Sequence, residues 1–205
     1  MRSLWWRRNR LWLLALAPLA LLAVAASSFR LVTLYLPWEW SRPTMAHTQT
    51  GTLRQQFLGF DDRHHRREVR VTALSTAATP VSGKVHPAPG ATLWRTELEF
   101  TASPDQILNS CTIELVDAQG VRYGTRGGKV DDRGESSYVN LFETCVPEDA
   151  PGPTLEPFTG RLVPSPSERP GTWRAEYLVA MPSGVEPTAV RVGWDRPDYL
   201  VLQLP

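Results

Sequence analysis

The chain is poor in the residues that most often announce chemistry. Its 205 residues hold two cysteines and four histidines. Cys111 and Cys145 form no CxxC pair, which removes the usual zinc-ribbon and dithiol redox spacings. His47, His64, His65 and His86 all lie in polar segments of the first half. No G-x-S-x-G elbow exists to set a serine beside one of them, and Ser136 and Ser137 have no signature pairing them with any. Lysine is nearly missing, Lys84 and Lys129 being the only two. The run GTRGGK at residues 124–129 is not a phosphate loop: the glycine spacing is wrong, Val130 stands where Ser or Thr belongs, and no helix pattern follows. It reads as a flexible turn. The acidic run at residues 131–135 has the composition of a calcium loop without its alternating ligands.

The densest polar cluster, DDRHHRRE at residues 61–68, offers two carboxylates and two imidazoles to a divalent ion. Successive residues of a strand point to opposite faces, so His64 and His65 are badly placed to share one. Arg63, Arg66 and Arg67 would repel it. The cluster reads as a solvated loop or strand end. We expect no catalytic, cofactor-binding or metal-ligating residues, and no cofactor.

What the chain does have begins at its N-terminus. Arg2, Arg7, Arg8 and Arg10 occupy the first ten residues with no acid among them, and residues 11–29 then run without a charge. At about 1.5 Å per residue the uncharged run covers roughly 28 Å, close to the ~30 Å hydrocarbon core of a bilayer. The four arginines before the run, against Arg30 alone directly after it, set the orientation: N-terminus in the cytoplasm, the remainder outside. Trp5, Trp6 and Trp12 on one side and Tyr35, Trp38 and Trp40 on the other suit the two interfaces. A cleaved signal peptide is the competing reading, since Ala23-Val24-Ala25 fits a small-x-small site. The apolar run continues past that site through residues 31–38, which favours a retained anchor. Either way the rest of the chain lies outside.

Charge changes at this boundary. The first forty residues hold five arginines and Glu39; residues 41–205 hold 17 basic and 20 acidic side chains. A weakly acidic domain has no electrostatic footprint for nucleic acid. In an oxidising compartment the isolated pair Cys111 and Cys145 reads as a disulfide.

Beyond a polar stretch at residues 41–52, strand signals dominate. Val69, Val71 and Ala73 alternate with Arg70 and Thr72. Trp94, Leu98 and Phe100 oppose Arg95, Glu97 and Glu99. Cys111, Ile113 and Leu115 alternate with Thr112 and Glu114, then the turn DAQG precedes a return through residues 121–123. Trp173, Ala175, Tyr177, Val179 and Met181 share one face, followed by Val190, Val192 and Trp194, then Leu200, Leu202 and Leu204. Residues 79–90 and the proline-rich 147–170 read as long irregular connections. Seven to nine short strands with no amphipathic helix predict an all-β, immunoglobulin-like antiparallel sandwich behind one transmembrane helix. The expected division is a basic cytoplasmic flank (1–10), a signal-anchor helix (11–36), a juxtamembrane tether (37–53) and the β-sandwich domain (54–205).

The arginine-flanked anchor, the juxtamembrane RLVTLYLPWEW, the hairpin CTIELVDAQG and the ending YLVAMPSGVEPTAVRV together resemble uncharacterised, membrane-anchored extracytoplasmic proteins of actinobacteria with an immunoglobulin-like domain. The resemblance brings no catalytic residues with it. The expectation is a single-pass plasma-membrane protein, not an enzyme, that binds or scaffolds another envelope or membrane protein. The alternative is an extracytoplasmic hydrolase or metal-dependent enzyme.

Overall fold

The computed structural model describes residues 2–108, 110–136 and 144–205. The N-terminal run is one helix, α1 (Arg2–Arg30), with Pro18 inside it. The helical path continues through a π turn, Leu31–Tyr35, and a 3-10 turn, Leu36–Trp38, and ends where Glu39 becomes extended. The stretch Arg8–Thr33 is long and apolar enough to cross a membrane, and none of it is buried against the rest of the chain. A signal sequence has the same length and composition.

The remainder is β structure. Thirteen strands form among the described residues: β1 (Arg42–Met45), β2 (Thr50–Leu58), β3 (His64–Thr79), β4 (His86–Pro87), β5 (Ala91–Thr101), β6 (Thr112–Asp117), β7 (Arg122–Gly124), β8 (Lys129–Val130), β9 (Thr154–Leu155), β10 (Leu162–Val163), β11 (Thr172–Pro182), β12 (Pro187–Gly193) and β13 (Asp198–Gln203). They make a four-stranded sheet, β11-β5-β3-β2, and a five-stranded sheet, β1-β13-β12-β6-β7. Every pairing is antiparallel except β1 with β13, which run parallel from Arg42 opposite Asp198 to Met45 opposite Val201. Two small ladders form where no strand was expected: β9-β10 lies inside residues 147–170, and β4-β8 joins residues 79–90 to the end of the run at 124–129.

The periodicities place the core where the alternation requires. Val69, Val71, Leu98, Phe100, Tyr177 and Val179 from one sheet join Ile113, Leu115, Val190, Val192, Leu200 and Leu202 from the other in a single buried cluster. Phe100 sits at its centre, stacked on Trp173 at 5.8 Å and meeting Trp194 edge-on at 6.3 Å. It thereby couples the two sheets. The DAQG turn closes as its sequence predicts: the Asp117 carboxylate accepts the N–H groups of Gln119 and Val121 at 2.9 and 2.8 Å, and the Tyr123 hydroxyl at 3.0 Å.

One expected boundary changes. The segment expected to be a juxtamembrane tether is not free. Ser41 and Arg42 donate their N–H groups to the Pro197 carbonyl at 3.1 and 3.0 Å, β1 follows as an edge strand, and the chain then crosses to the other sheet, where β2 begins at Thr50. The crossing is tight: a Cβ on Gly51 would lie 2.8 Å from the Leu200 side chain and 2.9 Å from that of Ala46. Backbone pairing, not side-chain burial, holds β1 in place, since all four of its residues are exposed. A polar sequence is no bar to that.

Candidate site at the helix junction

The strand directions bring several connections to the end of the domain where the chain enters from the helix. Here lie the β2–β3 turn, the segment before β6, the segment after β7 and the β12–β13 turn. Between them and the tryptophans that follow the helix is a cleft of about 730 Å³, lined by Trp38, Trp40, Phe57, Leu58, Arg126 and Arg196, with Trp194 and Asp195 at its wall.

Trp40 forms one side of the cleft and is itself fixed. Its ring lies edge-on to Tyr199 at 6.3 Å, with the Arg191 guanidinium 5.2 Å and the Arg196 guanidinium 5.8 Å from its centroid. Arg191 is almost fully buried on the outer face of β12, 4.0 Å from the Tyr199 ring, and pairs with Glu114 at 3.1 Å. Burial lowers the affinity of its guanidinium for the proton, and Glu114 opposes that effect. Gly193 makes room for the indole, because a Cβ there would meet it at 2.6 Å. Arg196 also donates to the Trp38 carbonyl at 2.8 Å, so the end of the helical path is bonded to the β12–β13 turn.

Arg67 forms the floor beneath Phe57. Its guanidinium is 4.1 Å from that ring and donates to the Ile107 carbonyl (3.0 and 3.1 Å), the Gln55 side-chain oxygen (3.0 Å) and Asp195 (2.7 Å). Burial pushes its pKa down while Asp195 opposes the shift. A third interior guanidinium, Arg169, donates to the carbonyls of Pro151, Ser103 and Gln106, stitching the proline-rich connection to the loop after β5. The expectation that the arginines of residues 61–68 are all solvated is wrong for Arg67. Extending the inward register of Val69, Val71 and Ala73 back by two finds it. Nothing comparable marks Arg169, which lies in a loop.

The structure places the other sequence candidates apart. His65 bonds Asp61 at 2.9 and 3.1 Å, and that bond, ahead of the Arg63 N–H, holds the Asp61 carboxyl below its ordinary value. His64, the neighbouring residue, is exposed. His86 pairs instead with Asp132 at 2.8 Å. Asp131 spends one oxygen on the backbone N–H groups of Arg133 and Glu135. Lys129 is not in a flexible turn: it is buried, its ammonium donating to the Thr125 carbonyl and, at 3.0 Å, to the Leu178 carbonyl on β11. Ser136 forms a bridge with Val130, and Ser137 lies outside the described residues. Among the described residues no three His, Cys, Asp or Glu side chains converge on one point.

Cys111 and Cys145 form a disulfide, Cα to Cα 5.8 Å, at the edge of the junction cleft. It joins the start of β6 to a segment that β11 holds through the Trp173 indole, which donates to the Cys145 carbonyl at 2.8 Å. Compared with protein families, curated proteins and solved structures, the chain matches none of them.

Proposed function

We propose that this is a single-pass plasma-membrane protein, N-terminus inside, that presents an immunoglobulin-like domain on the extracytoplasmic face as a non-enzymatic binding or scaffold module. The orientation rests on Arg2, Arg7, Arg8 and Arg10 preceding the apolar run. The disulfide agrees with an oxidising compartment. For the fold, β3-β5-β11 facing β7-β6-β12-β13 is the strand order of the ABE and C′CFG sheets of such domains, with β2 added at an edge. The cystine departs from the antibody pattern, because it ties β6 to a loop and does not link the two sheets' strands.

The observation that carries the binding reading is the junction cleft. It is open, aromatic and flanked by Arg126 and Arg196, and it stands at a fixed place relative to the membrane because Trp40 and β1 are built into the domain. Such a surface suits recognition of a neighbouring envelope component carrying planar or anionic groups. A photo-crosslinking residue at Leu58, which is exposed and lines the cleft, should yield discrete adducts in cells, while one at Val121 on the opposite end should not. Equal labelling from the two positions would sink the cleft as a binding site. Hydrolytic turnover by the purified chain, lost on changing a cleft side chain, would replace the module with an enzyme.

A further inference from the structure

Eight large apolar side chains are exposed on the β domain among its described residues, and five of them lie on two structures that touch. Leu58 ends β2 and Phe60 lies in the β2–β3 turn, exposed by 61% and 63%; Phe158, Leu162 and Val163 belong to the β9–β10 hairpin, Phe158 by 99%. The two pack together. A Cβ at Gly160 would lie 2.5 Å from the Phe60 carbonyl oxygen, and one at Gly59 would lie 2.7 Å from the Leu155 side chain. An apolar side chain left wholly in water on a hairpin tip does nothing for the fold, whereas a contiguous group of them marks a contact surface.

Position selects the occupant. Leu58 lines the same cleft as Trp38, the last residue of the helical path, so this turn is on the end of the domain from which the helix departs. α1 itself is not buried against the domain. The turn is held there rigidly: Gln55 of β2 donates to the Asp195 carbonyl beside the turn into β13, and Arg196 binds Trp38. Phe side chains on loop tips, with Arg63 and Arg66 beside Asp61 and Asp62 and with Arg161 paired with Glu156 at 3.5 Å, match the interfacial layer of a bilayer, where aromatic rings and charged groups meet at the headgroups. At the far end the exposed apolar residues are smaller and scattered, Val81 and Val121.

We infer that the β2–β3 turn and the β9–β10 hairpin form a second membrane contact, with Phe60 and Phe158 inserted into the outer leaflet of the bilayer that α1 spans. The domain thus lies against the lipid surface on two points and does not stand off it. The inference rests on α1 being a retained span, and the test separates the two. The full chain is reconstituted into vesicles of phosphatidylcholine and phosphatidylglycerol, carrying Phe158→Cys, Phe60→Cys or Val121→Cys labelled with a polarity-sensitive nitrobenzoxadiazole under non-reducing conditions. Labels at 158 and 60 should be blue-shifted and quenched several-fold more by lipids bearing a shallow nitroxide than the label at 121. Because Phe158 makes no packing contact worth losing, its replacement leaves the fold intact. Equal, water-like spectra at all three positions, in vesicles that retain the chain through a carbonate wash, overturn the loop contact and leave the anchor standing. Loss of the chain in the wash overturns both. Cross-linking between two copies through residue 158 without lipid quenching overturns it in favour of self-association.

Discussion

A buried arginine is the costliest residue to place and the most informative to remove. Arg67 satisfies the Ile107 carbonyl, the Gln55 amide oxygen and Asp195 while stacking on Phe57. Arg67→Ala strands two buried acceptors and leaves a cavity, which should destabilise the domain by about 3–4 kcal/mol. Arg67→Lys should recover less than half of that, since one ammonium cannot reproduce the planar fork. Asp195→Asn should cost less than either, because Asp195 is half exposed and asparagine keeps an acceptor oxygen. Denaturant midpoints of the detergent-solubilised chain rank the three, and a Lys variant equal to wild type contradicts the account. Period-2 alternation was enough to put Arg67 inside, yet three neighbouring arginines invite a solvated reading. Arg191 is harder to find: it sits opposite Val190 and Val192 on the outer face, where Tyr199, Glu114 and Trp40, the last from outside the domain's expected limits, pack around it.

At the scale of elements, most strands with apolar alternation are legible, the short β7 return among them, but the nine-residue β2 is not, because its inner face of Gly51, Leu53, Gln55 and Phe57 is only half apolar. β3, β5, β11, β12 and β13 each carry enough alternation to reveal an inner face. The ladders β4-β8 and β9-β10 have two residues a strand, too few for any period, and β1 is a polar edge held by main-chain bonds alone. No local pattern encodes such pairing. The cystine was legible because there was only one way to pair two cysteines. Replacing both Cys111 and Cys145 by serine reopens a loop of 34 residues and should remove roughly 3–4 kcal/mol. The near-ultraviolet signal of Trp173 should change with it, since its indole bonds the Cys145 carbonyl. Thiols that alkylate without reduction in native membranes would remove the argument. Gly193→Ala forces a methyl into the Trp40 ring. It should unseat the juxtamembrane segment and open the bonds around residues 38–42 to proteolysis while leaving the core transition in place; an uncut segment would show that the indole adapts.

For the molecule as a whole, the relation of helix to domain decides what the chain can do. On the proposed orientation, with the arginine flank inside, alkaline phosphatase fused after Pro205 should be active and green fluorescent protein there dark. The reverse pair of results would invert the orientation. The order of strands in the two sheets, unlike their existence, depends on which long-range pairings close, and alternation carries no information about that.

The parallel pairing of β1 with β13 also gives the protein a mechanical character. Tension applied through the helix enters at Arg42, at one end of the pair, and tension on the C-terminus leaves beyond Gln203, at the other. The two strands are therefore pulled past each other along their length, and their hydrogen bonds are loaded together in shear instead of being unzipped one at a time. Single-molecule pulling from the helix and from Pro205 should meet a high rupture force, well above that found when the second handle is moved to Val121, where the β6-β7 hairpin can peel. A chain built this way resists a pull applied between its N-terminal helix and its last strand.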